Sequence, residues 1–415
     1  MEQATTGIVI MSVITKRASA LATSGIVSLI CVIGCGSGGT TIASTTTSTT
    51  TSSSSSTSTS GGSGGAGCTG NGTFDASVNH AAGSLPVEIV ATDLNGDDKP
   101  DLVVANLGTD TINVLLNQGD GTFAAPVEYA TGKHPVSIAA ADLNGDGKPD
   151  LAVANELSNT VSVRLNAGDG AFVTAVDYAV GTYPIRVALV DLNGDGKPDL
   201  VVGSLSSKDV SVLNNQGDGT FAAPVATSVS TAVSSMAISD LDGDGDLDLA
   251  LVSLESKEVS VLFNQGNGTF AAPVTHAAGT VSGAIVAADL NGDGKPDLAF
   301  LSGSVPKLLL LFNQGNGTFA SPVTSNVGGM GVFSIAAADL NGDGKPDLAT
   351  GNAASNDVSV LLNQGNGTFA PSVNYAVGMN PAAIAAADLN GDGAIDLAAA
   401  TSMDGVSVLL AICSP

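Results

Sequence analysis

Seven nonapeptides along this chain place side-chain oxygens at positions one, three, five and nine, a set able to ligate a hard divalent cation. They begin at Asp93, Asp142, Asp191, Asp240, Asp289, Asp339 and Asp388, at steps of 49 residues with a single step of 50. In the second, Asp142, Asn144 and Asp146 offer three ligands and the carbonyl of Lys148 a fourth. Asp150 closes the site with both oxygens, and Gly147 supplies the left-handed backbone at the sixth position. The corresponding sets are Asp93, Asn95, Asp97, Lys99 and Asp101; Asp191, Asn193, Asp195, Lys197 and Asp199; and Asp240, Asp242, Asp244, Asp246 and Asp248. The remaining three are Asp289, Asn291, Asp293, Lys295 and Asp297; Asp339, Asn341, Asp343, Lys345 and Asp347; and Asp388, Asn390, Asp392, Ala394 and Asp396. The seventh residue acts only through its carbonyl, so Asp246 and Ala394 can stand where other copies have Lys. Asp98 for Gly, Asp242 for Asn and Ile395 for Pro are mild departures, and the extra carboxylate of Asp242 strengthens the fourth site. The implied cofactor is Ca²⁺, up to seven ions.

The residues downstream of the nonapeptide exclude two similar loops. An EF-hand needs Glu at position twelve, where this chain has Val104 and Val153. Dockerin-type loops lead into helices, whereas these lead into strand-like runs such as the one that starts at Asp101. A fixed period of this length marks a repeat architecture. Each period holds four β-type segments, in the second unit residues 136–141, 151–155, 161–166 and 172–179. The first two segments are apolar on both faces, as expected of sheets packed between two neighbours. A second signature places Phe74, Phe123, Phe172, Phe221, Phe270, Phe319 and Phe369 after a turn of the Asn-Gln-Gly-Asn-Gly type. The Asn-Gly-Thr triplets at Asn71, Asn267, Asn316 and Asn366 match a glycosylation sequon, but their place in a repeated tight turn favours a structural role. The expected fold is all-β, a seven-bladed β-propeller of four-stranded blades.

The ends of the chain show how such a ring closes. The repeat region starts with a turn and a fourth strand and finishes with strands one to three, so the N-terminal strand should complete blade seven. Aligned on the repeat, Cys68 falls at the position of Asn363 and Cys413 at that of Gly365, both in the third-to-fourth turn. A Cys68–Cys413 disulfide is expected at the seam, in keeping with export.

The 415 residues divide into three expected parts. Residues 1–34 read as a signal peptide, with Lys16 and Arg17 before an apolar stretch too short and too polar for a permanent span. Translation from Met11 gives a leader of more usual length. Val32-Ile33-Gly34-Cys35 has the form of a bacterial lipobox, so Cys35 is the expected lipidation site; plain secretion is the alternative. Residues 35–67 are a Ser/Thr/Gly-rich linker without the apolar surface to order itself. Residues 68–415 form the propeller. The expected location is a bacterial outer membrane or cell surface, touching the membrane through the lipid alone.

With 39 acidic against 13 basic side chains and a net charge of −26, the chain has no basic face for phosphate, and nucleic acid is excluded as a partner. The acids concentrate in the seven loops, where bound cations would offset them.

The Gly-Thr-Phe-Ala-Ala-Pro segment at Gly121 and the Asp-Leu-Asn-Gly-Asp-Gly-Lys-Pro-Asp loop at Asp142 resemble the FG-GAP, or VCBS, repeat family, over residues 68–415. Members are similar to the propeller of integrin α-subunits. The resemblance implies a calcium-stabilised, commonly extracellular propeller used for adhesion or glycan binding, without fixing a ligand.

Strand parity puts the acidic loops and the Gly-Thr-Phe turns on one face. The opposite face carries the two-to-three loops (such as Glu156 to Asn159, Ser206 to Lys208 and Ala353 to Asp357) and the four-to-one loops (such as Ser84-Leu85, Met330 and Met379-Asn380). The repeats differ there. Lys133, His134, Tyr183 and Arg186 come from neighbouring four-to-one segments and form the candidate site for an acidic sugar or carboxylate. His80 and His276 occupy the repeat position of Tyr129, Tyr178 and Tyr375 and read as packing residues. No catalytic constellation stands out, so the expected function is a monomeric binding module for a glycan or an extracellular protein, not an enzyme. A structural envelope spacer is the alternative, and a polysaccharide lyase built on Tyr183 and Arg186 is less favoured.

Overall fold

The computed structural model describes residues 70–253, 258–279, 281–302, 307–403 and 405–413. The leader, Cys35, the linker and Cys68 lie outside the described residues, as do the variable-face residues 255–257.

Seven four-stranded antiparallel sheets are arranged about one axis. Blade 2 is typical: Pro135–Ala141, Asp150–Asn155, Thr160–Arg164 and Val176–Ala179 pair in that order. The first strands of successive blades touch all the way round, blade 7 against blade 1 included, so they form the inner wall. Second strands are almost entirely buried and fourth strands mostly exposed, which sets the second strand within the sandwich of blades and the fourth at the rim. Each core cluster joins two neighbouring blades. Ile89, Leu102 and Val104 of blade 1 pack with Ala383, Ala398 and Val406 of blade 7. Val202 and Leu200 of blade 3 pack with Ala152 and Val161 of blade 2. Each blade buries both faces, which is why strands one and two read as continuous apolar runs.

The ring closes as the sequence leads one to expect. Val78–His80 pairs with Gly405–Leu409 and supplies the fourth strand of blade 7. Upstream, Gly70–Phe74 pairs with Ala411–Cys413, with Gly70 opposite Cys413. Cys413 is disulfide-bonded.

One expectation is refined. The segment 172–179 is not one strand: Phe172 pairs with Asn166 in the turn, and the ladder to the third strand begins only at Val176. Pro126, Pro224, Pro273 and Pro322 sit directly before the equivalent short strands and have no N–H to continue a ladder. Residues 173–175 keep the same break without a Pro.

Candidate functional site

The acidic loops connect first to second strands. Their ninth residue opens the second strand, so Asp150 pairs with Ala141 and is fixed by the sheet. All seven ninth-position carboxylates are fully buried. In every blade one oxygen accepts the N–H of the loop's second residue, and the other accepts an N–H from the third-to-fourth turn. For Asp150 these are Leu143 at 2.9 Å and Asn166 at 2.7 Å; for Asp396 they are Leu389 at 2.8 Å and Ala411 at 2.6 Å. Expected as a ligand through both oxygens, this Asp is already a bridge between two loops, with one lone pair left on each oxygen.

The Asn that donates to it also spans blades. Its Nδ2 reaches the loop carbonyl of the preceding blade: Asn166 to Leu94 at 2.8 Å, Asn215 to Leu143 at 3.1 Å, Asn264 to Leu192 at 2.8 Å. Asn313, Asn363 and Asn117 do the same to Leu241, Leu290 and Leu389 at 2.9, 3.1 and 2.9 Å. A belt of hydrogen bonds thus runs round the acidic face. From sequence these Asn residues read only as turn formers; their recurrence at the repeat period is the signal that points to a second role.

Within each loop the first Asp is capped by backbone. Asp142 Oδ1 accepts from Gly145 N at 2.7 Å and Oδ2 from Gly147 N at 2.8 Å, while Asn144 Oδ1 accepts from Asp146 N at 2.9 Å. This winds the loop so that alternate side chains share its interior. In blade 4, Asp240, Asp242 and Asp244 each bring a carboxylate oxygen within 4.8 Å of the others. Hard oxygens converging in this way fit a divalent cation. Asp98, in the place of Gly147, takes the same left-handed backbone at φ 63°.

The electrostatics are those of crowded carboxylates. Burial pushes Asp101, Asp248, Asp297 and Asp347 up to about 6 and Asp396 up to about 7, opposed by their backbone N–H donors and aided by neighbouring loop carboxylates. Asp150, Asp199 and Asp242 shift upward for the same leading reason. A cation among them would reverse that cost. Lys99, Lys148, Lys197, Lys295 and Lys345 fold onto the fifth-position Asp at 2.7–3.5 Å, exposed pairs that add little to stability.

The opposite face is built differently. Leu85, His134, Tyr183 and Asn380 each stand directly before the Pro that opens an inner strand, and hold φ of 53°, 56°, 58° and 56°. A residue before Pro ordinarily takes extended backbone, and bulky side chains seldom take positive φ. Two bonds hold each of three tips. His134 N donates to Asp110 Oδ1 at 2.8 Å, Tyr183 N to Asn159 Oδ1 at 2.9 Å and Asn380 N to Asn356 Oδ1 at 2.8 Å, all across a blade boundary. From within the blade, Glu156, Leu205 and Ser402 donate to the carbonyls of His134, Tyr183 and Asn380 at 2.8–3.4 Å. Lys133 is exposed and His134 half-buried, with its ring Nδ1 3.4 Å from Glu156 Oε2. Met330, Met379 and Met403, from blades 6 and 7, are exposed on this face.

Arg186 is not on that face, which corrects the sequence expectation. It is wholly buried in the inner strand of blade 3, two residues past its Pro, and donates Nη1 to Ile185 O at 2.6 Å. Burial lowers its guanidinium to about 10, partly offset by Glu88. Proximity in sequence to Tyr183 is misleading because the strand turns inward at Pro184. The expectation for His80 and His276 holds: they pack edge-on against Phe123 and Phe319 at 5.2 and 5.1 Å between centroids, as Tyr129 does against Phe172 at 5.6 Å. The sequon residue Asn267 accepts from Thr269 N at 3.0 Å, a turn-capping role.

These features define a seven-bladed propeller whose units each carry one acidic loop. The FG-GAP-like repeat pattern matches residues 93–153, 142–202, 191–251, 240–300, 289–350 and 340–399, and the chain belongs to that family. No curated protein matches it. Among solved structures it is similar to an Agrocybe aegerita lectin described for specific recognition of non-reducing terminal N-acetylglucosamine, at 22% identity over 79% of this chain and 86% of that one, TM-score 0.51. It is also similar to the virginiamycin B lyase of Staphylococcus aureus, at 13% identity over 79% and 96%, TM-score 0.55. A third is the periplasmic gluconolactonase of Pseudomonas aeruginosa, at 18% identity over 69% and 85%, TM-score 0.53. Likeness at these identities concerns the fold alone.

Proposed function

We propose that this protein is a recognition module, not an enzyme. Its acidic face holds Ca²⁺ for stability, and its opposite face binds a glycan or a protein partner outside the cell. The observation that carries the reading is the set of tips Leu85, His134 and Tyr183. Bulky residues kept in left-handed backbone before Pro carry local strain, which characteristically gathers at binding sites. Blade 6 has Gly331 in the same role, a residue that takes this backbone without strain. The similarity to a lectin fold is compatible with glycan as the ligand class. In the calcium loops, the oxygens of positions one, three and five, the carbonyl of position seven and the remaining lone pairs of position nine would hold the ion.

The leader reading makes the protein an exported lipoprotein displayed on its linker. Binding is tested by probing a glycan and polysaccharide array with the full chain in millimolar calcium. A hit that is lost in Tyr183→Ala or Lys133→Ala, with melting unchanged, supports the reading. A blank array removes glycans as the ligand class and moves the search to proteins.

A further inference from the structure

The inner strands leave a cavity of about 680 Å³ on the propeller axis. All seven blades line it, through side chains such as Val90, Ala140, Leu189, Ile238, Ala287 and Ala386. These remain partly accessible, unlike the core between blades. The opening follows from the sequence: small residues such as Ala139, Ala140, Ala386 and Ala387 near the ends of the inner strands leave the axis unfilled.

The two ends of the cavity differ. Thr92, Asp339 and Lys345 bound it toward the acidic loops. At the other end Ile89, Ile138 and Val187 close the wall. Behind them Glu88, Ser137, Arg186, Ser235 and Ser334 are at most 1% exposed. The result is a cup that opens toward the acidic face, opposite the variable loops.

We propose that this cup is a ligand site for the uncharged, apolar part of an amphiphile, an alkyl chain or a fused-ring body, whose polar end stays at the rim. Among the described residues, the wall between floor and rim offers no charged side chain, so a buried charge would go uncompensated. The volume lies within the range of small-molecule sites, about 300–1,000 Å³. The proposal does not rest on the recognition reading, because it concerns the other face.

The test is titration of the full chain, in millimolar calcium, with the neutral solvatochromic dye Nile red. The expected result is saturable one-to-one binding with blue-shifted emission, reversed by octyl glucoside below its micellar concentration. Ala140→Phe and Ala386→Phe fill the cup and should each weaken binding at least tenfold while circular dichroism is unchanged. Ala287→Leu serves as a milder filling variant should either of those fail to fold. Val176→Ser and Val225→Ser alter the exposed outer rim, at 56% and 61% exposure, and should leave binding as in the wild type. Non-saturating binding, unaltered affinity in the folded filling variants, or loss of binding in the rim variants would overturn the proposal.

Discussion

On the acidic face, Asp150 and its six counterparts make the same pair of backbone hydrogen bonds in every blade, and six Asn residues repeat one interblade bond. On the opposite face the corresponding tips are Leu85, His134, Tyr183, Gly331 and Asn380, different in five blades on the same backbone path. Both faces are made of loops at the ends of the same strands, so core packing does not explain the contrast. Side chains that satisfy buried N–H groups of two loops cannot vary without loss. The tips are held in common through their backbone N–H and C=O, so their side chains can differ from blade to blade. Sameness marks the face whose side chains tie neighbouring blades together, and variation marks the face to which the proposed recognition is assigned.

The sharpest way to break this comparison is to exchange one residue from each face. Asp199→Ala would leave the N–H groups of Leu192 and Asn215 buried without acceptors, and should cost about 4 kcal/mol at roughly 1–3 kcal/mol per group. Lys133→Ala, exposed on the variable face, should stay within about 0.5 kcal/mol. Denaturant unfolding of the two variants measures both; equal losses would refute the division of roles.

A pH series should separate the faces next. Without calcium, the folded Asp396 holds its proton to about 7 and Asp101, Asp248, Asp297 and Asp347 to about 6, against a value of 3.8 when unfolded. The folded state binds more protons across that window, so stability in chelator should fall as pH rises from about 4 to 7. Added calcium, which needs the ionised carboxylates, should flatten or invert that slope. Melting temperatures measured against pH in the two conditions test the sign.

The smallest effect should come from relieving a tip. Tyr183→Gly removes the side chain at φ 58° and should raise stability by about 1 kcal/mol while abolishing any ligand binding through that residue. A loss of stability instead would show that Tyr183 is held for packing and not for recognition.

Much of this is legible in the sequence, for physical reasons that can be named. The acidic loops recur at a fixed period because each joins the first strand of a blade to the second, and that period sets the blade count and the seam at Val78–His80. His80 can be read as packing from its Tyr counterparts. Arg186 cannot be placed from its neighbours in sequence: the inner strand is buried on both faces from Pro184 to Ala188, and that, not distance from Tyr183, decides that it is buried. The interblade role of Asn166 is hidden because its contact with Leu94 lies 72 residues away. The axial cup depends on seven strands at once, and no single repeat announces it.

Calcium on the acidic face is the central claim, and calorimetry with and without the ion tests it most directly. At millimolar calcium, a site with a dissociation constant near 0.1 mM adds roughly 1.5–2 kcal/mol, and seven such sites act together. The melting temperature should fall by more than about 10 °C in chelator and return when calcium, but not an equal concentration of sodium, is restored. Identical melting curves in calcium and in chelator would contradict the claim.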